Sequence, residues 1–397
     1  MQLFSDYNFA NKRVLLRVDF NLPLNDKFEI TDDSRMRVAI PTIKKILKEK
    51  GKLILLSHLG RPKRNIFEER FSNKHILEHL SKLLGIKVLF ANSCIGKNTS
   101  VKVKSLKAGE VILLENVRFH KGEKEGDKNF AKKLSKLAEV YVNDAFGTAH
   151  RNHCSTSIVS EFFPKDKMFA YVIENELKNL EMLLEKGERP FTAIIGGAKI
   201  SSKIEVISSL LERVDNIIVG GGMAFTFIKS IGGSIGNSIF ESDKIEIASE
   251  ILQKAIEKKV KFYLPIDSVN ADRFSNSANI TYSDINKIKD NCMSLDIGLK
   301  SINRFSKIIE KSKTVLWNGP MGVFEMNNFQ NGTLQIAKSV AKVKERGGFS
   351  LIGGGDSVAA INKYKLQNKI SYISSGGGAL LEYVKGNELA TIKAIRK

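Results

Sequence analysis

The feature that most constrains this chain is a unit that recurs along it. A short β-prone apolar run breaks into glycines or a polar cluster, and a stretch with apolar residues at helical spacing follows. Its clearest form is Phe349–Ile352, then Gly353, Gly354, Gly355, Asp356 and Ser357, then a run from Val358 to Ile361 that can open a helix. Strand, glycine turn and helix together point free backbone N–H groups at a phosphate. Glycine suits that turn because a Cβ would hold the phosphate oxygens away. Asp356 can hold a Mg²⁺ that rides on the phosphates. The other reading of the same residues is a tight strand–helix turn with an aspartate N-cap.

Alternation of strand and helix predicts an α/β fold, with parallel sheets covered on both faces. Ligands of such sheets bind beyond the carboxyl ends of the strands. In the first half, strands are expected at 12–18, 53–56, 88–90, 111–114 and 140–142. Helices are expected at 35–50, from Ser72 to Leu84, and at 127–137. Pro41 should kink the first of these or sit in its first turn. The residues after the strands are Asp19 and Asn21, then His58 and Arg61, then Arg118, then His150 and Arg151. They meet on one edge only if the strands are neighbours. Arginines on one rim suit forked recognition of a small polyanion.

A long helix at 169–185, ended by Gly187 and Pro190, is placed to connect two domains. The second half restarts with strands at 191–195, 216–219, 261–264, 314–316, 349–352 and 370–373. Most run into glycine clusters: Gly196-Gly197, Gly220 to Gly222, Gly319, Gly353 to Gly355 and Gly376 to Gly378. Lys199, Lys203, Glu325 and Asp356 accompany them. This rim suits a nucleotide whose phosphates meet backbone amides. The Walker A pattern is absent, and Gly-x-Gly-x-x-Gly follows the first strand of neither half.

Composition narrows the class. At 397 residues two domains are expected. No apolar run is long enough to cross a bilayer, and the first residues carry no apolar signal core. Cys94, Cys154 and Cys292 have neither zinc nor disulfide spacing, so a reducing cytoplasm is expected. The net charge of +20 raises nucleic acid as a partner, but the lysines are spread along helices. A lysine-rich solvated surface is the favoured reading, without nucleic acid.

The motifs resemble those of the phosphoglycerate kinase family. Arg17-Val-Asp-Phe-Asn-Leu-Pro23, Ser57-His-Leu-Gly-Arg-Pro62, Leu114-Glu-Asn-Val-Arg-Phe119 and Asn143-Asp-Ala-Phe-Gly-Thr-Ala-His-Arg151 are similar to its first-domain signatures. Gly196-Gly-Ala-Lys199, the stretch from Gly220 to Phe227, that from Trp317 to Glu325, and Gly353-Gly-Gly-Asp356 resemble its second-domain ones. The resemblance implies reversible, in-line phosphoryl transfer from 1,3-bisphosphoglycerate to ADP with Mg²⁺, giving 3-phosphoglycerate and ATP. It implies a phosphoglycerate pocket of Asp19, Asn21, Arg35, His58, Arg61, Arg118 and Arg151. The nucleotide side would be Lys203, Asn318, Glu325, Gly354, Gly355, Asp356 and Ser357, with Asp356 on the metal. Arg35, Lys199, Gly355 and Gly378 would form the catalytic set. His58 reads as a hydrogen-bond donor rather than a general base. Ser202 stands where many members carry aspartate, and Ser294 replaces a usual small residue near the nucleotide.

The expected division is 1–168 for the phosphoglycerate domain, 169–187 for a hinge helix, 188–378 for the nucleotide domain, and 379–397 returning to the first domain. A hinge-bending monomer is expected. The rivals are a basic nucleic-acid-binding protein and a kinase relative that binds nucleotide without turnover.

Overall fold

The computed structural model describes residues 2–63 and 66–397. Contacts divide the chain into two units, Met1–Lys178 with Glu388–Lys397, and Asn179–Asn387. Each is built on a six-stranded sheet whose strands all pair in parallel.

In the first unit the strands are β1 (Arg13–Arg17), β2 (Lys52–Leu56), β3 (Leu89–Ala91), β4 (Val111–Leu114), β5 (Val140–Asn143) and β6 (Lys167–Phe169). Their order across the sheet is β3-β4-β2-β1-β5-β6. Val111–Leu114 and Val140–Asn143 are buried at every position, as strands covered on both faces must be. The four strands that precede the predicted anion-binding residues are thus adjacent. Arg17 lies opposite both Leu56 and Asn143, so the loops after β1, β2 and β5 leave one edge together.

The first helix, Ser34–Lys48, buries Met36, Ala39, Ile43 and Ile46 against that sheet. Pro41 lies well inside it rather than in its first turn. Pro41 and Arg37, the residue one turn back whose carbonyl loses its helical donor, are both exposed. Ser72 caps as expected, accepting from the Lys74 N–H, although the turn it opens is a 3-10 turn that precedes Leu77–Leu84. The connecting helix is Tyr171–Leu184, shorter than 169–185 because β6 pairs with β5 at the sheet edge.

The second sheet runs Lys261–Tyr263, Asn216–Val219, Phe191–Ile195, Thr314–Asn318, Phe349–Ile352, Tyr372–Ile373. A three-stranded antiparallel sheet of Asp267–Ala271, Ile280–Asp284 and Met293–Ile297 stands beside it, with no counterpart in the sequence reading.

The chain re-enters the first unit at Glu388, later than 379. The helix Gly377–Val384 packs within the second unit: Leu380 lies so close over Gly353 that a Cβ there would sit 2.1 Å from its Cδ2, and Ser209 Oγ donates to the Val384 carbonyl at 2.8 Å. Beyond Glu388, Leu389, Ile392 and Ile395 are buried. The Thr391 N–H donates to the Ala149 carbonyl at 2.9 Å, and Lys167 Nζ donates to that of Ala394 at 2.9 Å.

Candidate functional site

The first unit gathers a cationic rim at the carboxyl edge of its sheet. The loops that carry it are held by buried polar groups. The Glu115 carboxylate accepts from Ser72 Oγ at 2.7 Å and from the Asn73 and Asn116 N–H groups at 2.8 and 2.6 Å. Asn116 Nδ2 donates to the carbonyls of Leu59 and Phe71 at 2.7 and 2.9 Å. Asn21 Oδ1 accepts the Gly60 N–H at 2.7 Å, tying the loop after β1 to the loop after β2. These contacts fix a backbone that would otherwise be free to move.

Arg118 is buried and donates from Nη1 to the Gly60 carbonyl at 2.6 Å. Arg35 is half-exposed and pairs with Asp19 at 2.9 Å. Arg151 is half-buried, with Nε 3.3 Å from His150 Nε2. Arg61 is exposed, near enough for its charge to bear on Arg151. Burial, then repulsion from Arg151 and Arg17, pushes the Arg118 guanidinium down to about 10. Burial likewise lowers Arg151, with Asp19 opposing. A ligand that brings several negative charges relieves that repulsion.

His58 is 3% exposed. Burial and the arginines around it, Arg17 first, hold its imidazolium well below the usual histidine range. Arg17 Nη2 lies 3.1 Å from His58 Nδ1. Arginine has only donors, so Nδ1 must be the lone-pair nitrogen and Nε2 must carry the proton. The geometry therefore makes His58 a neutral donor. Asp19 Oδ1, at 3.9 Å, is beyond hydrogen-bond reach of Nδ1.

The second unit builds its rim from backbone. Phe349–Ile352 feeds the helix Gly355–Lys363 through Gly353 and Gly354. Gly354 has φ +97°, and a Cβ there would meet Asn318 Nδ2 at 2.8 Å, so the position admits glycine alone. A Cβ on Gly377 would lie 2.9 Å from Gly354 Cα, so the helix Gly377–Val384 starts beside the first. No side chain caps either helix. Their first-turn N–H groups and positive dipole ends form an anion cradle. Gly355, Asp356 and Gly378 are exposed on it. Gly355 has open space where a Cβ would go, so packing alone does not require glycine there.

Side chains frame that cradle. Asn318 Nδ2 donates to the Gly353 carbonyl at 2.8 Å, and its Oδ1 accepts from Lys203 Nζ. Buried Ser357 accepts the Gly319 N–H at 2.6 Å, locking the two glycine loops together. Lys203 is pushed down to about 8 by burial, against the opposing pull of Asp356. Lys199 is exposed, and Ser202 Oγ donates to its carbonyl at 3.0 Å. The predicted catalytic residues are thus divided, with Arg35 in the first unit and Lys199, Gly355 and Gly378 in the second.

Beside the cradle lies a cavity of about 310 Å³, reached by Glu325, Asp356 and Ser294 and walled by apolar residues such as Phe225, Pro265, Leu295 and Val323. Ile239 and Phe274 at this cavity are 58% and 62% exposed, far more than apolar side chains in a core. Sequence reading missed this wall, because its residues come from scattered segments and the unforeseen antiparallel sheet. It also passed over Arg17, which is buried and meets His58 Nδ1. The signal was present as an arginine closing an apolar strand.

No group of three or more His, Cys, Asp or Glu able to hold a metal occurs among the described residues. That does not suit a cation caged by protein. Mg²⁺ carried on phosphates takes one or two carboxylates and otherwise water and substrate. Asp356 is an exposed carboxylate beside the cradle.

Comparison with known proteins places these features in a wider set. The model of the phosphoglycerate kinase family matches residues 4–387. A phosphoglycerate kinase from Porphyromonas gingivalis is 49% identical over 98% of this chain and 99% of that protein. One from Prochlorococcus marinus is 49% identical over 98% of this chain and 96% of its own length. Among solved structures, that of phosphoglycerate kinase from Coxiella burnetii covers the whole chain with a TM-score of 0.88 at 38% identity, aligned over 98% of that chain. That from Pyrococcus horikoshii gives 0.86 at 30%, over 100% of this chain and 98% of that one.

Proposed function

The chain belongs to the phosphoglycerate kinase family, and from that premise we propose that it transfers the acyl phosphate of 1,3-bisphosphoglycerate to ADP, reversibly and in line, with one substrate on each unit. The observation that supports this division most is chemical. The first unit offers guanidinium groups and a neutral imidazole donor, which match a small carboxylate–phosphate ester. The second offers uncapped helix N-termini beside an apolar cavity, which match the phosphates and base of a nucleotide.

In the ATP-forming direction a terminal oxygen of ADP attacks the acyl phosphorus, the P–O bond to the acyl carbon breaks, and 3-phosphoglycerate leaves as a carboxylate. Neither group needs a proton at neutral pH, so no general acid or base is required. Catalysis is then positioning and charge stabilisation. Asp19, Asn21, His58, Arg61, Arg118 and Arg151 hold the phosphoglycerate. Lys203, Asn318, Glu325, Gly354, Asp356 and Ser357 hold the nucleotide. Arg35 and Lys199, with the Gly355 and Gly378 amides, stabilise the phosphoryl group in flight. Mg²⁺ bound with the nucleotide supplies further charge neutralisation, and Asp356 is the residue that would hold it.

Reacting atoms must come within roughly 3–3.5 Å. Water must also be kept from the acyl phosphate. Substrates on separate units meet both demands if the units close when both are loaded. Small-angle scattering should then show a smaller radius of gyration only with both ligands present. An unchanged radius in every state would exclude closure.

The reading is tested by a coupled assay of purified protein with ATP, Mg²⁺ and 3-phosphoglycerate. Turnover that needs all three supports it. Tight nucleotide binding without turnover favours the inactive-relative reading instead.

A further inference from the structure

Behind the arginine rim lies a buried polar chain that ends on His58. Glu123 is 1% exposed in the short helix Gly122–Glu125. Its Oε1 accepts from Ser155 Oγ at 2.6 Å and its Oε2 from the Ser155 N–H at 2.9 Å. Ser155 Oγ in turn accepts from Arg17 Nε at 2.9 Å. Arg17 Nη2 reaches His58 Nδ1 at 3.1 Å, and Nη1 donates to the Val18 carbonyl. Every member of the chain is buried.

The direction of each bond is forced. A hydroxyl has one proton, and the carboxylate takes it, so the Ser155 lone pair faces Arg17. Arginine only donates, so His58 Nδ1 must accept. Ser155 is held from the other side as well, because its carbonyl accepts from Tyr141 OH at 2.7 Å. A nearly unexposed guanidinium also needs a counter-charge. Glu123 is the carboxylate at the end of this chain. His153 Nδ1, 3.8 Å from Glu123 Oε1, does not neutralise it, because burial and nearby arginines hold that imidazole down to about 4.

We propose that Glu123 and Ser155 are positioning residues, which through Arg17 fix His58 as the Nε2–H tautomer that donates to the bound phosphoglycerate. The proposal rests on the reading of this rim as the phosphoglycerate site. It goes beyond that reading by making the donor's orientation depend on two residues outside the pocket. Buried networks of this kind act as a unit, so breaking any link should release the imidazole.

The test is ¹⁵N NMR of the His58 ring in the ligand-free enzyme, joined to steady-state kinetics, for wild type, Glu123→Gln, Ser155→Ala and the double variant. Wild type should show one neutral tautomer, with the proton on Nε2. Ser155→Ala should show a tautomer mixture and a KM for 3-phosphoglycerate raised about tenfold, the worth of one charge-assisted hydrogen bond. kcat and the KM for ATP should change by less than about twofold. Glu123→Gln should act in the same direction, and the double variant should be no worse than Ser155→Ala, because both break one chain. A wild-type proton on Nδ1 overturns the proposal even if the variants do not fold. So does an unchanged tautomer in both folded variants. A changed tautomer with an unchanged KM upholds the relay and overturns instead the placement of phosphoglycerate against His58.

Discussion

The two rims do similar electrostatic work with different parts. The first is made of side chains. Arg17, His58 and Arg118 are buried, and their positions are set by groups behind them such as Glu115, Asn116 and Ser155. The second is made of backbone, with glycine where a Cβ would collide and side chains such as Asn318 and Ser357 bracing the loops. A side-chain rim stores repulsion between like charges, which a trianionic ligand relieves. A backbone rim stores unpaired N–H groups, which phosphate oxygens satisfy. Substitutions should therefore act by different routes on the two sides.

The largest effect is expected at Arg35. Its pair with Asp19 is partly exposed, at 39% and 12%, and an ion pair of that kind contributes less than about 1 kcal/mol to folding. Loss of a transition-state cation costs ~3 kcal/mol, a hundredfold or more in kcat. Arg35→Ala should thus be folded and nearly inactive. A turnover near that of wild type removes Arg35 from the reaction.

Next in size is Asp356→Asn. An amide is a poor ligand for a hard cation. Calorimetric titration should show Mg²⁺–ADP binding weakened at least about tenfold and 3-phosphoglycerate binding unchanged. Equal losses for both ligands mean that the metal is held elsewhere.

A glycine pair separates folding from binding on the backbone rim. Gly354→Ala meets Asn318 and a left-handed φ, so it should lower stability by about 1–2 kcal/mol. Gly355→Ala meets nothing, so the melting temperature should hold while the KM for ATP rises as the methyl displaces phosphate oxygens. If Gly355→Ala leaves the KM unchanged, the phosphates do not approach that amide.

The smallest effect is a pH dependence. Burial holds the Lys203 ammonium down to about 8. Its folded value lies below its unfolded one, so the native state releases the proton first as pH rises. This residue's cost to stability is present in full below about pH 8 and is relieved toward 10.5. Nucleotide affinity should run the other way and weaken as pH passes 8, because the cation facing the phosphates is lost. In Lys203→Met that dependence should flatten. A slope that persists in the variant assigns it to another group.

The same contrast explains what the sequence made legible. Backbone rims announce themselves, because glycine clusters recur after most of the apolar runs of the second half. Strand-end residues such as His58 and Arg118 are readable once adjacent strands are assumed, and the order β4-β2-β1-β5 supplies the adjacency. What stays hidden is support. Glu123 and Ser155 look like surface residues in the sequence, and only the fold brings them behind Arg17, 32 positions apart from each other. The antiparallel sheet that walls the apolar cavity was missed for a related reason. Asp267–Ala271 and Ile280–Asp284 are polar and short, and Met293–Ile297, though it alternates apolar and polar residues, is only five residues long and lies outside the strand–glycine–helix units. The point of return to the first unit follows contacts of the helix Gly377–Val384 within the second unit, Leu380 over Gly353 and Ser209 on the Val384 carbonyl, which no periodicity carries.

Amide hydrogen exchange with each ligand alone tests the division of labour most directly. 3-Phosphoglycerate should slow exchange in the loops that carry Asn21, Gly60, Arg118 and Arg151, and leave 353–357 and 376–379 unchanged. ADP should do the reverse. Protection of both rims by a single ligand, or of the same rim by both, would contradict the assignment of one substrate to each unit.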